Sequence, residues 1–231
     1  YDEQEKVFHL PMEYQMTDEE LLQYIDKANA IERDAVTKDA SKLMSEQEAI
    51  EVAKSLAQSL YEWDVSELSA FAYLKDGCPD YCPRQPMWWI HFGPEDLLVR
   101  SYNRDLSAEE CEIQIDASSG KLHRAKRNTE FDVPAATDKT VKQIKEDLKQ
   151  KAVALVQPLI ADGAKTGQVD IFAYGEDGSR AALPNSASTV PQFIYCHVAV
   201  LDGAKYDVQY ASGNLALISV HYESKDYEDE F

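Results

Sequence analysis

The sequence predicts an α+β protein of two tandem modules, each a helix packed on an antiparallel sheet, preceded by an N-terminal helix. Three observations predict this fold class. Motifs that cap helices precede stripes of apolar residues at helical spacing. Segments that alternate apolar and polar residues, as half-buried strands do, follow the stripes. The same order occurs twice along the chain, at a spacing of about 90–105 residues.

The length of 231 residues allows one large domain or two small ones. We divide the chain into an acidic N-terminal tether and helix over 1–40, a first module over 41–128 and a second module over 137–224. The segment 128–137 between the modules is short and contains one proline, Pro134. The sequence therefore predicts two units joined by a linker of limited freedom.

Three helices are predicted, each from a capping residue followed by apolar residues at every third or fourth position. The first covers residues 17–38, and the third ends near Pro158, because proline cannot continue a helix. The predicted caps are, in chain order, Thr17 with Glu20, Ser45 with Glu48, and Thr137 or Asp138.

Alternating or aromatic-rich segments predict strands after the second and third helices. Turn-forming residues separate them, and Gly120 supplies the positive φ of one hairpin. The strands predicted for the first module are 65–74, 87–92, 97–102, 110–116 and 121–126. Those predicted for the second module are 169–174, 193–201, 206–210 and 215–222.

The strands of the two modules match in detail. Trp88–Phe92 aligns with Ile194–Val198, which places His91 over His197. A duplication explains this match better than chance does. A histidine flanked by aromatic residues on a strand predicts a half-buried packing residue that donates to a backbone carbonyl. A pH-responsive or ligand-binding role for the two histidines is the alternative.

Two segments of the first module resemble a known family. Ser45–Lys54 is similar to the opening helix of a PepSY-type domain, and Cys111–Leu122 is similar to its closing hairpin. The resemblance covers residues 45–127, whereas the second copy, 138–223, has no aspartate equivalent to Asp116. It implies a PepSY-like or cystatin-like fold without catalytic residues or cofactor. It also implies a secreted or lipid-anchored bacterial protein that binds or inhibits other proteins.

The net charge of the chain excludes one class of partner. The formal net charge is −19, and such a field repels phosphate backbones, so nucleic acid is excluded as a partner. Positive residues gather in two places, 121–127 and the lysines between 139 and 151. We interpret both groups as solvated faces that keep the protein soluble.

The four cysteines predict one local disulfide. Cys78 and Cys82 lie in a loop and would close a ring of a few residues, worth about 2 kcal/mol before strain. A zinc site or a redox site at this pair stays open as an alternative, although no second ligand pair of matching spacing exists. Cys111 and Cys196 fall on predicted strands and are interpreted as small buried hydrophobic residues.

A candidate binding surface lies beside the loop 75–86. Tyr81, Met87 and Trp88 are its predicted residues, because aromatic residues and methionine are enriched at the centres of protein interfaces. Simple packing of these side chains is the alternative.

No catalytic motif stands out, and neither a cofactor site nor a metal site is predicted. The expected function is that of a non-enzymatic extracytoplasmic binding or regulatory protein. Its partner would be another extracytoplasmic or cell-surface protein, and it would reach the membrane only through an N-terminal anchor outside this sequence. A protease inhibitor or propeptide-like chaperone is one alternative, and a metal- or redox-dependent enzyme centred on Cys78 and Cys82 is another.

Overall fold

The structure is a computed structural model, and it describes residues 16–37, 42–76, 85–102, 109–128, 139–161, 163–174, 179–183 and 190–224. Its helices are α1 (Asp18–Thr37), α2 (Glu46–Tyr61), α3 (Leu97–Tyr102) and α4 (Val141–Val156). The strands that precede α4 are β1 (Ser69–Asp76), β2 (Pro86–Gly93), β3 (Glu110–Asp116) and β4 (Leu122–Asn128). The strands that follow α4 are β5 (Thr166–Tyr174), β6 (Arg180–Ala182), β7 (Phe193–Val200), β8 (Lys205–Ala211) and β9 (Leu217–Glu223).

The predicted α+β class is confirmed, and the strands form one antiparallel sheet in the order β1-β2-β3-β4-β9-β8-β7-β5-β6. The first half of this sheet is β1–β4, and the second half is β5–β9. They join where β4 pairs with β9, over Arg124, Ala125 and Lys126. This seam lets the two halves share one hydrophobic core.

The halves carry matching features at equivalent places. Ser45 caps α2 and Thr140 caps α4, each through a capping box with the third helical residue. A register irregularity follows Gln114 on β3 and Gln209 on β8. The buried stripe of α2 is Ala49, Ala53, Ala57 and Tyr61, and that of α4 includes Ile144, Leu148, Ala152 and Val156.

The structure corrects two local predictions. The α4 cap is Thr140, two residues past Asp138 and three past Thr137, the two predicted caps, because its box uses Gln143 where a glutamate is more familiar. Residues 97–102 form a helix where a strand was predicted. Asp96 accepts from the Arg100 side chain at 2.8 Å, and Leu97 is buried, so an i,i+4 pair and an anchor residue support one and a half turns.

The two faces of the sheet differ in what covers them. Helix α2 packs against β1, β2 and β3, and α4 packs against β5 and β7, both over the apolar side chains that form the core. Helix α1 lies on the opposite face against β1, where Glu32 Oε2 is 3.6 Å from Lys75 Nζ. The outer strand of the first half, β1, is therefore covered on both faces. In the second half, no helix of the described residues packs on the face opposite α4.

Candidate functional site

The residues predicted for a binding surface divide between the interior and the undescribed part of the chain. Cys78, Tyr81 and Cys82 lie outside the described residues, so the disulfide stays a prediction. Met87 is 1% exposed and Trp88 is 5% exposed. The indole of Trp88 donates to the Met44 carbonyl at 3.1 Å. Met87 and Trp88 are thus buried side chains. Of the three residues predicted for the binding surface, Tyr81 alone stays a prediction.

Cys111 and Cys196 are free and fully buried, as predicted. Burial raises the pKa of each thiol to about 12. Because the thiolate is the reactive form, both side chains act as small apolar residues.

His91 and His197 are half-buried, but each is held by a carboxylate, and the predicted backbone partner is wrong. His91 Nδ1 lies 2.6 Å from Glu110 Oε1, and His197 Nδ1 lies 2.8 Å from Asp207 Oδ1. The hydrogen bond from His91 lowers the pKa of Glu110. Asp207 is directly across the strand pair from His197, whereas the residue across from His91 is Glu112. The two histidines match in position but differ in partner.

A row of charged and titratable residues crosses five strands on the face opposite α4, with acidic and basic residues alternating as far as His221. In order across the sheet the cross-strand partners are Asp170, His197, Asp207, His221 and Arg124. Burial alone would raise the pKa of Asp207, but the bond and charge of His197 outweigh it and hold that pKa low. The row supplies each member with an opposite or polar neighbour, which accounts for it as a structural network.

A groove of about 700 Å³ lies between α4 and the outer edge of β5. Three lysines of α4 face it, because positions i, i+3 and i+7 share one side of a helix. The guanidinium carbon of Arg180, on β6, lies 3.7 Å from the ring centroid of Phe172. The residues that line the groove and carry charge are Lys142, Lys145, Glu146, Lys149, Asp170 and Arg180.

These cations are largely uncompensated. Lys145 Nζ donates to the Leu183 carbonyl at 2.8 Å. Within the described part of the chain, no carboxylate forms an ion pair with Lys142, Lys149 or Arg180. Four cations against two carboxylates make this groove locally positive in a protein of net charge −19.

The wall opposite the lysines is a strand edge. β6 pairs only with Phe172, Ala173 and Tyr174. Along the rest of β5, from 166 to 171, no strand of the described residues occupies the outer side. An unpaired edge presents backbone N–H and C=O groups that another extended chain can pair with.

The first half of the sheet offers no equivalent groove chemistry. Relative to the two capping residues, Lys142, Lys145 and Lys149 correspond to Gln47, Ile50 and Lys54 of α2, so two of the three cations are missing. The lysine spacing on the third predicted helix was the signal available in the sequence. Arg180 could not be found that way, because it lies between the predicted strands 169–174 and 193–201, where no element was predicted.

Two other features, a metal-binding cluster and a membrane-spanning helix, are absent from the described residues. No group of three or more histidine, cysteine, aspartate or glutamate side chains is arranged to hold a metal ion there. None of the helices in the described ranges combines the length and apolar character needed to cross a membrane.

Comparison with known proteins gives one likeness. No family model matches the chain, and no curated protein matches its sequence. Among solved structures, the chain is similar to the C-terminal domain of Bacillus megaterium YpeB, with 9% identity and a TM-score of 0.45. The match covers 81% of this chain and 66% of that one, just under two thirds of its length. A likeness of this size carries no argument about what the chain does.

Proposed function

We propose that this protein is a non-catalytic extracytoplasmic binding protein, and that the groove between α4 and β5 holds an extended acidic segment of a partner protein. The observation that carries the proposal is the combination of three cations without an ion pair among the described residues, Lys142, Lys149 and Arg180, with a strand edge that no described strand occupies from 166 to 171, in an otherwise acidic chain. The acidic surface repels an acidic segment over most of the protein. Such a segment would therefore bind at the locally positive groove.

Two kinds of contact would hold the segment. Its backbone would pair with the outer edge of β5 and extend the sheet past the short β6. In an extended chain, alternate side chains point to the same side, so acidic residues at every second position would meet Lys142, Lys145 and Lys149. The backbone contact supplies affinity, and the lysine contacts supply selectivity and a fast encounter rate.

The absence of a catalytic role is part of the proposal. Both described cysteines are protonated at neutral pH because of burial. The rings of His91 and His197 are hydrogen-bonded to carboxylates on neighbouring strands, those of Glu110 and Asp207. These arrangements favour structural roles for the residue types that most often perform acid–base or nucleophilic chemistry.

The location and the family are also proposals. The segments 45–54 and 111–122 resemble PepSY-type domains, which occur in secreted and lipid-anchored bacterial proteins. The matching caps, at Ser45 and Thr140, and the matching irregularities, after Gln114 and Gln209, support a duplication of such a module. On this basis the partner would be another extracytoplasmic or cell-surface protein.

The test is binding of a defined peptide. The probe is an octapeptide that alternates glutamate with valine, compared with the same peptide carrying glutamine for glutamate. We expect only the acidic peptide to bind, and the double substitution Lys142→Glu/Lys149→Glu to weaken binding at least about tenfold. Raising the salt from about 50 mM to about 500 mM should weaken it as well, because exposed charges are screened.

Lys54→Glu is the matched control, since Lys54 occupies on α2 the position that Lys149 occupies on α4. It changes the net charge without touching the groove and should leave binding within about twofold. Equal binding of the glutamate and glutamine peptides, or an equal loss in the Lys54→Glu protein, would show that the groove does not select acidic segments.

A further inference from the structure

An aromatic patch lies on the face of the second half that no described helix covers. Its residues are Phe172, Tyr174 and Tyr195, with ring centroids 4.8 to 5.6 Å apart. Tyr174 is 53% exposed, one of the few large hydrophobic side chains in that state among the described residues. Arg180 lies over the Phe172 ring from the same face. We call these four residues the aromatic patch.

The patch is rigid before anything binds to it. Tyr195 stacks on Phe172 with an interplanar angle of 21°. The Tyr195 hydroxyl accepts from Gln209 Nε2 at 3.0 Å, and Gln209 Oε1 accepts from the Ser219 hydroxyl at 3.2 Å. Rings fixed in this way lose little conformational entropy when a partner contacts them.

The strand register identifies the equivalent patch in the first half. Tyr73 pairs with Trp89 there, as Phe172 pairs with Tyr195 in the second half. Lys75, two residues beyond Tyr73, thus corresponds to Tyr174. Each half therefore has a cross-strand aromatic pair with a cation beside it, and in each the second ring, Trp89 or Tyr195, lies two residues before the matched histidine.

In the first half this patch is covered, and the cover is an acidic helix. Lys75 Nζ lies 5.7 Å from the ring centroids of both Tyr73 and Trp89, and 3.6 Å from Glu32 of α1. Burial, and then the charge of Asp26 on the same helix, raise the pKa of Tyr73 to about 12. Helix α1 thus presents carboxylates to a cation held over aromatic rings.

The second half has the same chemistry without the cover. Arg180 is held over Phe172 as Lys75 is held over Tyr73, but no carboxylate of the described residues forms an ion pair with it. The exposed ring of Tyr174 adds apolar area that a helix would bury. A planar guanidinium also suits a carboxylate better than an ammonium does, because it can bind with two parallel hydrogen bonds.

We propose that the aromatic patch docks an acidic amphipathic helix of a partner protein, in the way that α1 covers the first half. The occupant places an apolar side chain against Tyr174 and Tyr195 and a carboxylate against Arg180. Helix docking on an apolar surface with a charged rim is a common recognition mode. This surface adjoins the lysine-lined groove and shares Phe172 and Arg180 with it, but the inference uses none of the lysines and does not rest on the proposed strand-pairing function.

The probe is a peptide with the sequence of residues 17–37, acetylated and amidated, which reproduces α1. It is titrated into the full chain, and the same peptide with Glu32→Gln serves for comparison. We expect saturable binding that weakens about tenfold in the Tyr174→Ser protein, because a central aromatic contact is worth roughly 1–2 kcal/mol. Leu201→Ser is the matched control, since Leu201 is an even more exposed apolar residue, at 72%, away from the patch.

A double-mutant cycle tests the charge contact. The Glu32→Gln peptide should bind the native chain several-fold more weakly than the native peptide does. The two peptides should bind the Arg180→Gln chain equally well, because the carboxylate then has no guanidinium to contact. Binding to the Lys142→Glu/Lys149→Glu protein should stay within about threefold, which separates this site from the groove. Failure of the groove peptide to bind would leave this result unaffected.

Four outcomes would overturn the proposal. The first is the absence of saturable binding up to about 1 mM peptide. A dissociation constant of about 1 mM corresponds to a binding free energy of about −4 kcal/mol, and a specific site should bind more tightly than that. The second is an equal loss of binding in the Leu201→Ser protein. The third is photo-cross-linking of the peptide to residues 69–93, because this would mean that the peptide displaces α1 from the first half. Dimerisation of the chain alone, abolished by Tyr174→Ser, would replace the partner by a second copy and overturn it too.

Discussion

The two halves of the sheet share a framework but not a surface. In both, a capped helix packs on an antiparallel sheet, and the matching strands β3 and β8 have an irregularity at the same place. On the second face of the first half, α1 covers β1, whereas the described residues place no helix on that face of the second half. The second half also holds the uncompensated cations. We therefore propose that the second half presents the binding surfaces, whereas the first half mainly stabilises the fold.

The first prediction concerns the helix packing, where the two halves differ most in side-chain size. Leu148 of α4 is fully buried, and its counterpart on α2 is Ala53. Leu148→Ala should lower the free energy of unfolding by about 2–5 kcal/mol, because it leaves a cavity in the second half. Chemical denaturation measures this loss. Gln150→Ala, at an exposed position of the same helix, should change it by less than about 0.5 kcal/mol, and a similar loss in both would contradict the account.

The second prediction concerns the seam between the halves. His123 is 6% exposed, and its ring centroid lies 5.1 Å from that of His221. Burial, then the charges of His221 and Arg124, lower the pKa of His123 from 6.5 to about 4. The unfolded chain therefore binds this proton more readily than the folded chain does. Stability should fall as the pH drops from about 6.5 towards about 4, by roughly 3 kcal/mol from this group.

His123→Phe tests this assignment, since it keeps a ring in the seam and removes the titration. The stability of this variant should decline less between pH 6.5 and pH 4 than that of the native chain. Urea denaturation at several pH values measures the difference. Ser59→Ala, an exposed position of α2 that carries no titratable group, serves as the control. An unchanged pH dependence in the His123→Phe protein would locate the acid sensitivity elsewhere.

The third prediction compares the hairpin turns, where the halves use different residues for one backbone conformation. Gly120 has φ +70°, and a Cβ there would lie 3.2 Å from Met44 Cε. Gly120→Ala should cost about 1–2 kcal/mol, since left-handed backbone is unfavourable for residues with a Cβ. Leu215, at the equivalent turn, has φ 55° and is buried. Leu215→Gly relieves that backbone cost, so its net loss should fall short of the 2–5 kcal/mol typical of losing a buried leucine side chain.

The fourth prediction is a symmetry test with the smallest effect. Ser45→Ala and Thr140→Ala each remove one capping box, and each should cost about 1 kcal/mol in the free energy of unfolding. Ser59→Ala, whose hydroxyl bonds only within the last turns of α2, is the control and should cost less. Clearly unequal losses at the two caps would show that the halves differ in their framework as well as in their surfaces.

Much of the framework could be predicted from the sequence because local physics determines it. The caps at Ser45 and Thr17, the apolar stripes and the Gly120 hairpin are each specified by residues a few positions apart. The joining of the two halves into one sheet was not predictable, because β4 and β9 are distant in sequence. Neither segment contains a local signal that specifies the other as its pairing partner.

The candidate site was less predictable than the fold. Met87 and Trp88 were expected at a surface, but burial depends on which elements cover a strand, and a strand pattern alone does not reveal the cover. The lysines of α4 were visible in the sequence but were interpreted as a solvated face. A binding role for these lysines depends on Arg180 and on the outer edge of β5, and only the folded chain brings these features together.

Hydrogen exchange of β5 tests the central claim most directly. In the presence of the acidic octapeptide, the account predicts slower exchange of backbone amides within 166–171, where the outer edge of the strand gains a partner. The equivalent outer strand of the first half, β1, should exchange at an unchanged rate. Protection of β5 that is lost with Lys142→Glu/Lys149→Glu would support an acidic segment added to the sheet. Peptide binding without any change in β5 exchange would contradict it.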